Sequence, residues 1–247
     1  PNLVLLLSDA DRALGELSGY ARNLANPELI VRPFIRREAV LSSRIEGTFA
    51  GSLDVYTYET TRHDNTGDAR EVYNYAAALE YGLERLATLP VSLRLIRELH
   101  DRLLDGVRGN YAMPGSFRTT QNWIGGRVLE DAVFVPPPPS DLAGLLDAFE
   151  KYLHEPGGLP PLIKLALIHY QFEAIHPFVD GNGRVGRLLI SLLLVHWGLL
   201  PSPLLYLSAY LEANRERYCE LLQFVSEKGD WTAWIEFFLT GVAQQAQ

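Results

Sequence analysis

The residues best suited to chemistry lie within one short stretch, Ile175-His176-Pro177-Phe178-Val179-Asp180-Gly181-Asn182-Gly183-Arg184-Val185-Gly186-Arg187, followed by an apolar run. Pro177 disfavours helical backbone at His176, so a helix should end there. The chain must then turn tightly through Gly181, Asn182 and Gly183 before a new helix opens near Arg184. The free backbone N–H groups and the dipole of that helix start form an anion site. Arg184 and Arg187, three residues apart, share one side of the first turn and can both reach a polyphosphate. Their charge is unfavourable at a helix N-terminus without an anion, which argues for a function over simple capping. Asp180 is a hard oxygen ligand suited to Mg2+ shared with substrate phosphates. His176 stands where it can take a proton from an attacking hydroxyl near neutral pH. Phe178 reads as core packing that holds the loop. A lone histidine at a helix end, or a lone Gly-Asn-Gly turn, is usually structural; their combination within twelve residues is not.

These residues resemble the signature of the Fic family, HPFx(D/E)GNGRxxR, at every fixed position. The resemblance implies an all-α fold: a Fic-type helical core with a small β-hairpin flap and an N-terminal helical layer. It also implies protein adenylylation, the transfer of AMP from Mg-ATP to a Ser, Thr or Tyr hydroxyl. His176 would be the catalytic base and Asp180 the Mg2+ ligand. Gly181, Asn182, Gly183, Arg184, Val185 and Gly186 would hold the phosphates, with Arg187 at the β/γ end. The sister Doc proteins, which phosphorylate, carry a lysine where this chain has Gly183, and that difference favours nucleotidyl transfer.

A second segment, Ser42-Ser43-Arg44-Ile45-Glu46-Gly47, resembles the family's inhibitory motif (S/T)xxxE(G/N). Ser42 and Glu46 are four apart, hence on one helical face. Glu46 at a helix C-terminus opposes the dipole and should seek a cation. The resemblance makes that cation Arg187 and makes the pairing a block on productive seating of the γ-phosphate. Trp123, Ile124, Val133, Phe134 and Val135 resemble the flap that holds a target segment by strand addition. Tyr218 resembles a residue flanking the adenine pocket, although many relatives carry two tyrosines where this chain has Tyr218-Cys219. Related proteins also commonly form homodimers and modify themselves.

The elements that must position these groups read as helices. Val72, Ala76, Leu79, Leu83 and Leu86 mark an amphipathic helix over Asp68–Ala87. Ser92 is placed to cap Leu93–Leu104, and Ser140 to cap Asp141–Leu153. Further helices are expected over Pro33–Glu46, Leu162–Ile175, Arg184–His196, Ala209–Ser226 and Trp231–Ala246. Residues Trp123–Val135, with Gly125-Gly126 between short apolar runs, predict a hairpin leading into the stiff Pro136–Pro139 stretch, which alone could be a rigid linker or an SH3-type ligand. An N-terminal helical region over residues 1–90 and a core domain over 91–247 are expected, with a soft boundary.

Composition bounds the remaining options. The chain has 247 residues, 47% hydrophobic and 21% charged, which suits a globular protein with a sizeable core. A formal net charge of -8 argues against broad nucleic-acid affinity. A single cysteine, Cys219, allows no intrachain disulfide and points to a reducing, cytoplasmic setting. The longest apolar run, LLISLLLVHWGLL, is shorter than the roughly 18 residues of a membrane span, so no membrane association is expected. The opening residues do not read as a signal peptide. The first residue, Pro1, leaves further segments at either end an open expectation. The resemblance also leaves open transfer or removal of another phosphate-linked group, and two further functions fit some of the residues. His169, Glu173 and His176 at i, i+4 and i+7 could form a Zn2+ site of a hydrolase. A regulatory module could also keep the loop merely to sense nucleotide.

Overall fold

The computed structural model describes residues 2–24, 26–64, 67–107 and 112–247. Among them lie eleven α-helices: α1 (Asn2–Arg22), α2 (Pro27–Ile45), α3 (Ser52–Thr61), α4 (Asp68–Arg85), α5 (Leu93–Leu103), α6 (Pro139–His154), α7 (Pro161–Ile175), α8 (Asn182–His196), α9 (Ser208–Ala213), α10 (Arg215–Lys228) and α11 (Trp231–Ala246). None of the described helices is long and apolar enough to cross a membrane.

The core is built around α8. Val185, Leu188, Leu189, Ile190 and Leu192 to Leu194 are all buried, so this helix is covered on every side. Helices α2, α4, α5 and α7 pack against it. On the outer side of α7 lies α11, whose fully buried Trp234 donates its indole N–H to the Ala166 carbonyl at 3.0 Å. The long α1 lies along α11. In α5, Leu95, Ile96, Leu99 and Leu103 form the core-facing stripe, and the Ser92 hydroxyl accepts from the Leu95 N–H as the sequence anticipates.

Four local expectations are corrected. Helix α2 starts at Pro27, not Pro33; Pro33 sits inside it on an exposed face, where water can serve the carbonyl that loses its partner. Helix α6 is opened by Pro139 after Pro138, and Ser140 instead bonds the Asp141 carboxylate at 3.0 Å. The single helix expected over Ala209–Ser226 breaks at Asn214, whose side-chain amide donates to the Tyr210 carbonyl at 2.9 Å and competes with the helical pattern.

The hairpin is the fourth. No strand forms among the described residues; one antiparallel bridge pairs Ile124 with Phe134. The Ile124 carbonyl accepts from both Val133 and Phe134. At the tip, the Asp131 carboxylate takes the N–H groups of Arg127 and Val128, so those donors are lost to a ladder. Pro136 ends pairing at the base because it has no N–H to give.

Candidate functional site

The His176–Arg187 stretch is held from several directions. His176 terminates α7 in the left-handed region, at φ 49° and ψ 60°. Such a conformation is unfavourable for a residue with a side chain and persists only under constraint. The constraint is Arg118, a buried side chain that donates to the carbonyls of His176 (2.9 Å) and Pro137 (2.6 Å), while its own N–H bonds the Pro177 carbonyl at 2.8 Å. Arg118→Ala would keep the backbone bond to Pro177 but leave the part-buried carbonyls of His176 and Pro137 without these donors, at a cost of about 2–4 kcal/mol. A melting temperature lowered by roughly 5–10 °C is expected, readable by differential scanning calorimetry.

Within the loop, the Asn182 amide closes a ring on Phe178, accepting its N–H at 2.8 Å and donating to its carbonyl at 2.9 Å. Asn122 donates to the same carbonyl at 2.9 Å. His100 stacks on Phe178 with ring centroids 3.7 Å apart. Its Nδ1 accepts from the Gly115 N–H at 2.9 Å, so Nε2 carries the proton and donates to the Asp180 carbonyl at 2.9 Å. Burial holds His100 neutral, with its pKa lowered to about 4. Gly181, at φ 81°, makes the turn into α8. Because the Val185 N–H is spent on the Gly181 carbonyl, the donors left for an anion are those of Asn182, Gly183 and Arg184.

Val185 is fully buried and its N–H is used, and Gly186, deeper in the helix, is useful for its lack of a side chain. Arg184 is buried and turned toward Glu71 of α4 at 3.1 Å, with Asp180 at 3.8 Å. Arg187, unlike Arg184, lies in the cavity wall. Its guanidinium donates to the Ser42 hydroxyl (2.8 Å), the Ser42 carbonyl (3.0 Å) and the Glu46 carboxylate (2.6 Å). Burial by itself would lower the Arg187 pKa, and the Glu46 carboxylate together with Tyr218 and Glu173 more than offsets this. Burial works against the Glu46 carboxylate too, but Arg187 outweighs it and holds it below the usual carboxylate range. Gly183 makes the pairing fit: a Cβ there would fall 2.3 Å from the Glu46 carboxylate.

Helix α2 is seated by more than this pair. Glu38, four residues before Ser42, is buried and accepts from the Tyr75 hydroxyl at 3.2 Å, the Ser208 N–H at 3.2 Å and the Ser208 hydroxyl. Arg215 donates to the Ile45 carbonyl at 2.8 Å. Glu38, Ser42 and Glu46 thus form one polar edge at i, i+4 and i+8.

A cavity of about 490 Å3 opens in front of α8. Glu46, Glu173, His176, Gly183, Arg187 and Tyr218 line it, as do Ile124, Val133 and Phe134 of the bridged segment. Trp123 and Val135 are exposed and lie outside that lining. Cys219 lines the wall, whereas the Tyr218 hydroxyl is committed to His169 Nε2 at 2.7 Å. The His176 Nδ1 lies 3.2 Å from the Glu173 carbonyl; a carbonyl can only accept, so Nδ1 carries the proton and Nε2 keeps its lone pair. Burial lowers the His176 pKa to about 4, which leaves the ring neutral at pH 7.

The Asp180 carboxylate is 32% exposed at the loop edge. One partly exposed carboxylate, whose Oδ1 accepts the Gly181 N–H at 2.7 Å, fits Mg2+, which takes most other ligands from substrate phosphates and water. The zinc reading does not hold: His169 is bonded to Tyr218, 4.0 Å from Glu173, and no cluster of three potential ligands exists among the described residues.

Comparisons with known proteins show the family. The Fic/DOC family N-terminal model matches residues 4–84, and the Fic/DOC family model matches residues 90–194. The chain belongs to the Fic/DOC family, with its N-terminal region preceding the Fic region. It is 35% identical over 173 residues to protein adenylyltransferase Fic of Drosophila grimshawi, covering 68% of this chain and 32% of that protein. The protein of the same name from Drosophila melanogaster is 33% identical over the same length, 68% of this chain and 31% of its own. The chain therefore spans about a third of these relatives. The fold matches a Fic family protein from Desulfovibrio desulfuricans with a TM-score of 0.81 at 24% identity, covering all of this chain and 73% of that one. It also matches Fic-1 from C. elegans with a TM-score of 0.73 at 21% identity, covering 98% and 70%.

Proposed function

We propose that the protein transfers AMP from Mg-ATP to a hydroxyl side chain of a protein, and that Glu46 restrains this activity by occupying Arg187. The observation that carries the reading is the shared cavity: a neutral histidine, a helix N-terminus with free donors and an arginine held by a displaceable carboxylate face one space. The relatives named protein adenylyltransferase support the donor and the reaction class.

In the proposed reaction the target hydroxyl attacks the α-phosphorus, its proton passes to His176 Nε2, and the bond to the departing pyrophosphate breaks. Mg2+ held by Asp180 and the phosphates would neutralise charge on the leaving group. The N–H groups of Asn182, Gly183 and Arg184 orient the phosphate chain, and the flap residues Ile124, Val133 and Phe134 offer an edge for the target segment. Trp123 and Val135, outside the lining, would meet the target farther out. Tyr218 would wall the base end of the nucleotide.

The pH behaviour of the restraint follows from the sign of the Glu46 shift. A depressed carboxylate pKa means the pairing is complete above the ordinary value of 4.5 and is lost only as the pH falls through the lower folded value. The ratio of modification rates, Glu46→Gly over the parent, should therefore be flat from about pH 5.5 to about pH 7. Rates measured with α-labelled ATP test this; a ratio that collapses near pH 6 would contradict the pairing. Nucleotide binding by the Glu46→Gly protein with no covalent product would instead favour a sensor module.

A further inference from the structure

Helix α8 carries two notches on one side, three residues apart. The space of a Cβ at Gly183 holds a carboxylate oxygen of Glu46, and the space of a Cβ at Gly186 holds Oε1 of Glu173, each 2.3 Å from the ideal Cβ position. Glu46 has Arg187 as its partner. Oε1 of Glu173 is buried and has no hydrogen-bond partner among the described residues, although the side chain lines the same cavity and is only 11% exposed. A carboxylate there would repel a triphosphate, so a charged Glu173 is incompatible with the nucleotide reading. A protonated one is a donor.

We propose that Glu173 is a second contact for the phosphate chain, a carboxyl group that acts in its neutral form and donates its proton to a phosphate oxygen beside Arg187. This rests on the nucleotide reading above and adds a residue to it. The groups facing Glu173 agree with it. On α7, His169 and His176 are both held neutral by burial, with pKa values lowered to about 3 and about 4. Helix α10 contributes Tyr218 and Cys219, whose ionisation burial pushes upward, and places Arg215, Glu216 and Glu220 on the cavity wall. Arg187 favours ionisation of Glu173, whereas Glu46 opposes it. Burial dominates, and the Glu173 pKa is pushed up to about 8. A bound triphosphate adds negative charge and raises it further, so binding near pH 8 must take up a proton at this group.

The test is calorimetric titration of Mg-ATP into the Glu46→Gly protein and the Glu46→Gly, Glu173→Gln double variant at about pH 7, 8 and 9, in buffers of different ionisation enthalpy. The Glu46→Gly protein, relieved of the charge that opposes Glu173 ionisation, is expected to take up a fraction of a proton on binding at or below about pH 8 and to lose about tenfold in affinity toward pH 9. Glutamine is a permanent neutral donor, so the double variant should show neither effect. Glu173→Ala, which has no donor, should bind about tenfold more weakly at pH 7. Binding with the same proton uptake and the same pH profile in both proteins would overturn the assignment alone. Absence of Mg-ATP binding by the Glu46→Gly protein at pH 7 would overturn both the assignment and the nucleotide reading beneath it.

Discussion

Replacing His176 in the Glu46→Gly background is expected to abolish detectable transfer while leaving Mg-ATP binding close to that of the background. Nothing in the proposed phosphate grip depends on the imidazole: the donors are backbone groups at the start of α8, Arg187 and Glu173. The ring supplies only the proton acceptor, worth about 10²–10⁴-fold. The Glu173 carbonyl fixes its tautomer, so Nε2 is the acceptor from the outset. Alanine at φ 49° adds backbone strain, so His176→Asn is the better companion, asparagine being more tolerant of the left-handed region. Both variants should lose at least a hundredfold in kcat with nucleotide affinity kept. Retention of activity within tenfold in the asparagine variant would exclude His176 as the base.

The second large effect is release. In the Glu46→Gly protein, Arg187 loses its carboxylate partner and the cavity gains the space above Gly183. A charge-assisted hydrogen bond of about 1.5–3 kcal/mol is removed, so modification should speed up by roughly ten- to a hundredfold. The fold should tolerate the change. Glu46 ends α2 at φ -89°, its side chain is 36% exposed, and the helix remains seated by Glu38, by Ser42 on Arg187 and by Arg215 on the Ile45 carbonyl. Glu46→Gln, which keeps the length and loses the charge, should fall between the parent and the glycine variant. Equal rates for all three in a labelled-ATP assay, with melting curves unchanged, would remove Glu46 from the account.

Where sequence reasoning succeeded, the information was local. The helix ends at Ile175 and Ala246, the cap at Ser92 and the Ser42–Glu46 spacing follow from periodicity and proline or serine chemistry over a few residues. The pairing of Glu46 with Arg187, 141 residues apart, was anticipated only through resemblance. Glu38 could have been found, since it extends the Ser42–Glu46 spacing by one more step of four. His100, Arg118 and Glu71 could not: each reaches the loop from a distant helix or connection, and nothing near them in the chain marks the partner. The Glu71 partner of the Arg184 guanidinium was hidden for the same reason, because it comes from α4. The hairpin was overestimated because an aspartate at its tip captured the donors that a ladder would have used.

Whether this cavity moves AMP is read out by intact-mass analysis of the Glu46→Gly protein with Mg-ATP, with and without added acceptor proteins. A covalent gain equal to one AMP moiety on a hydroxyl side chain is expected, absent when His176 is replaced. A gain equal to phosphate alone, or bound nucleotide with no covalent gain on any protein, would contradict it.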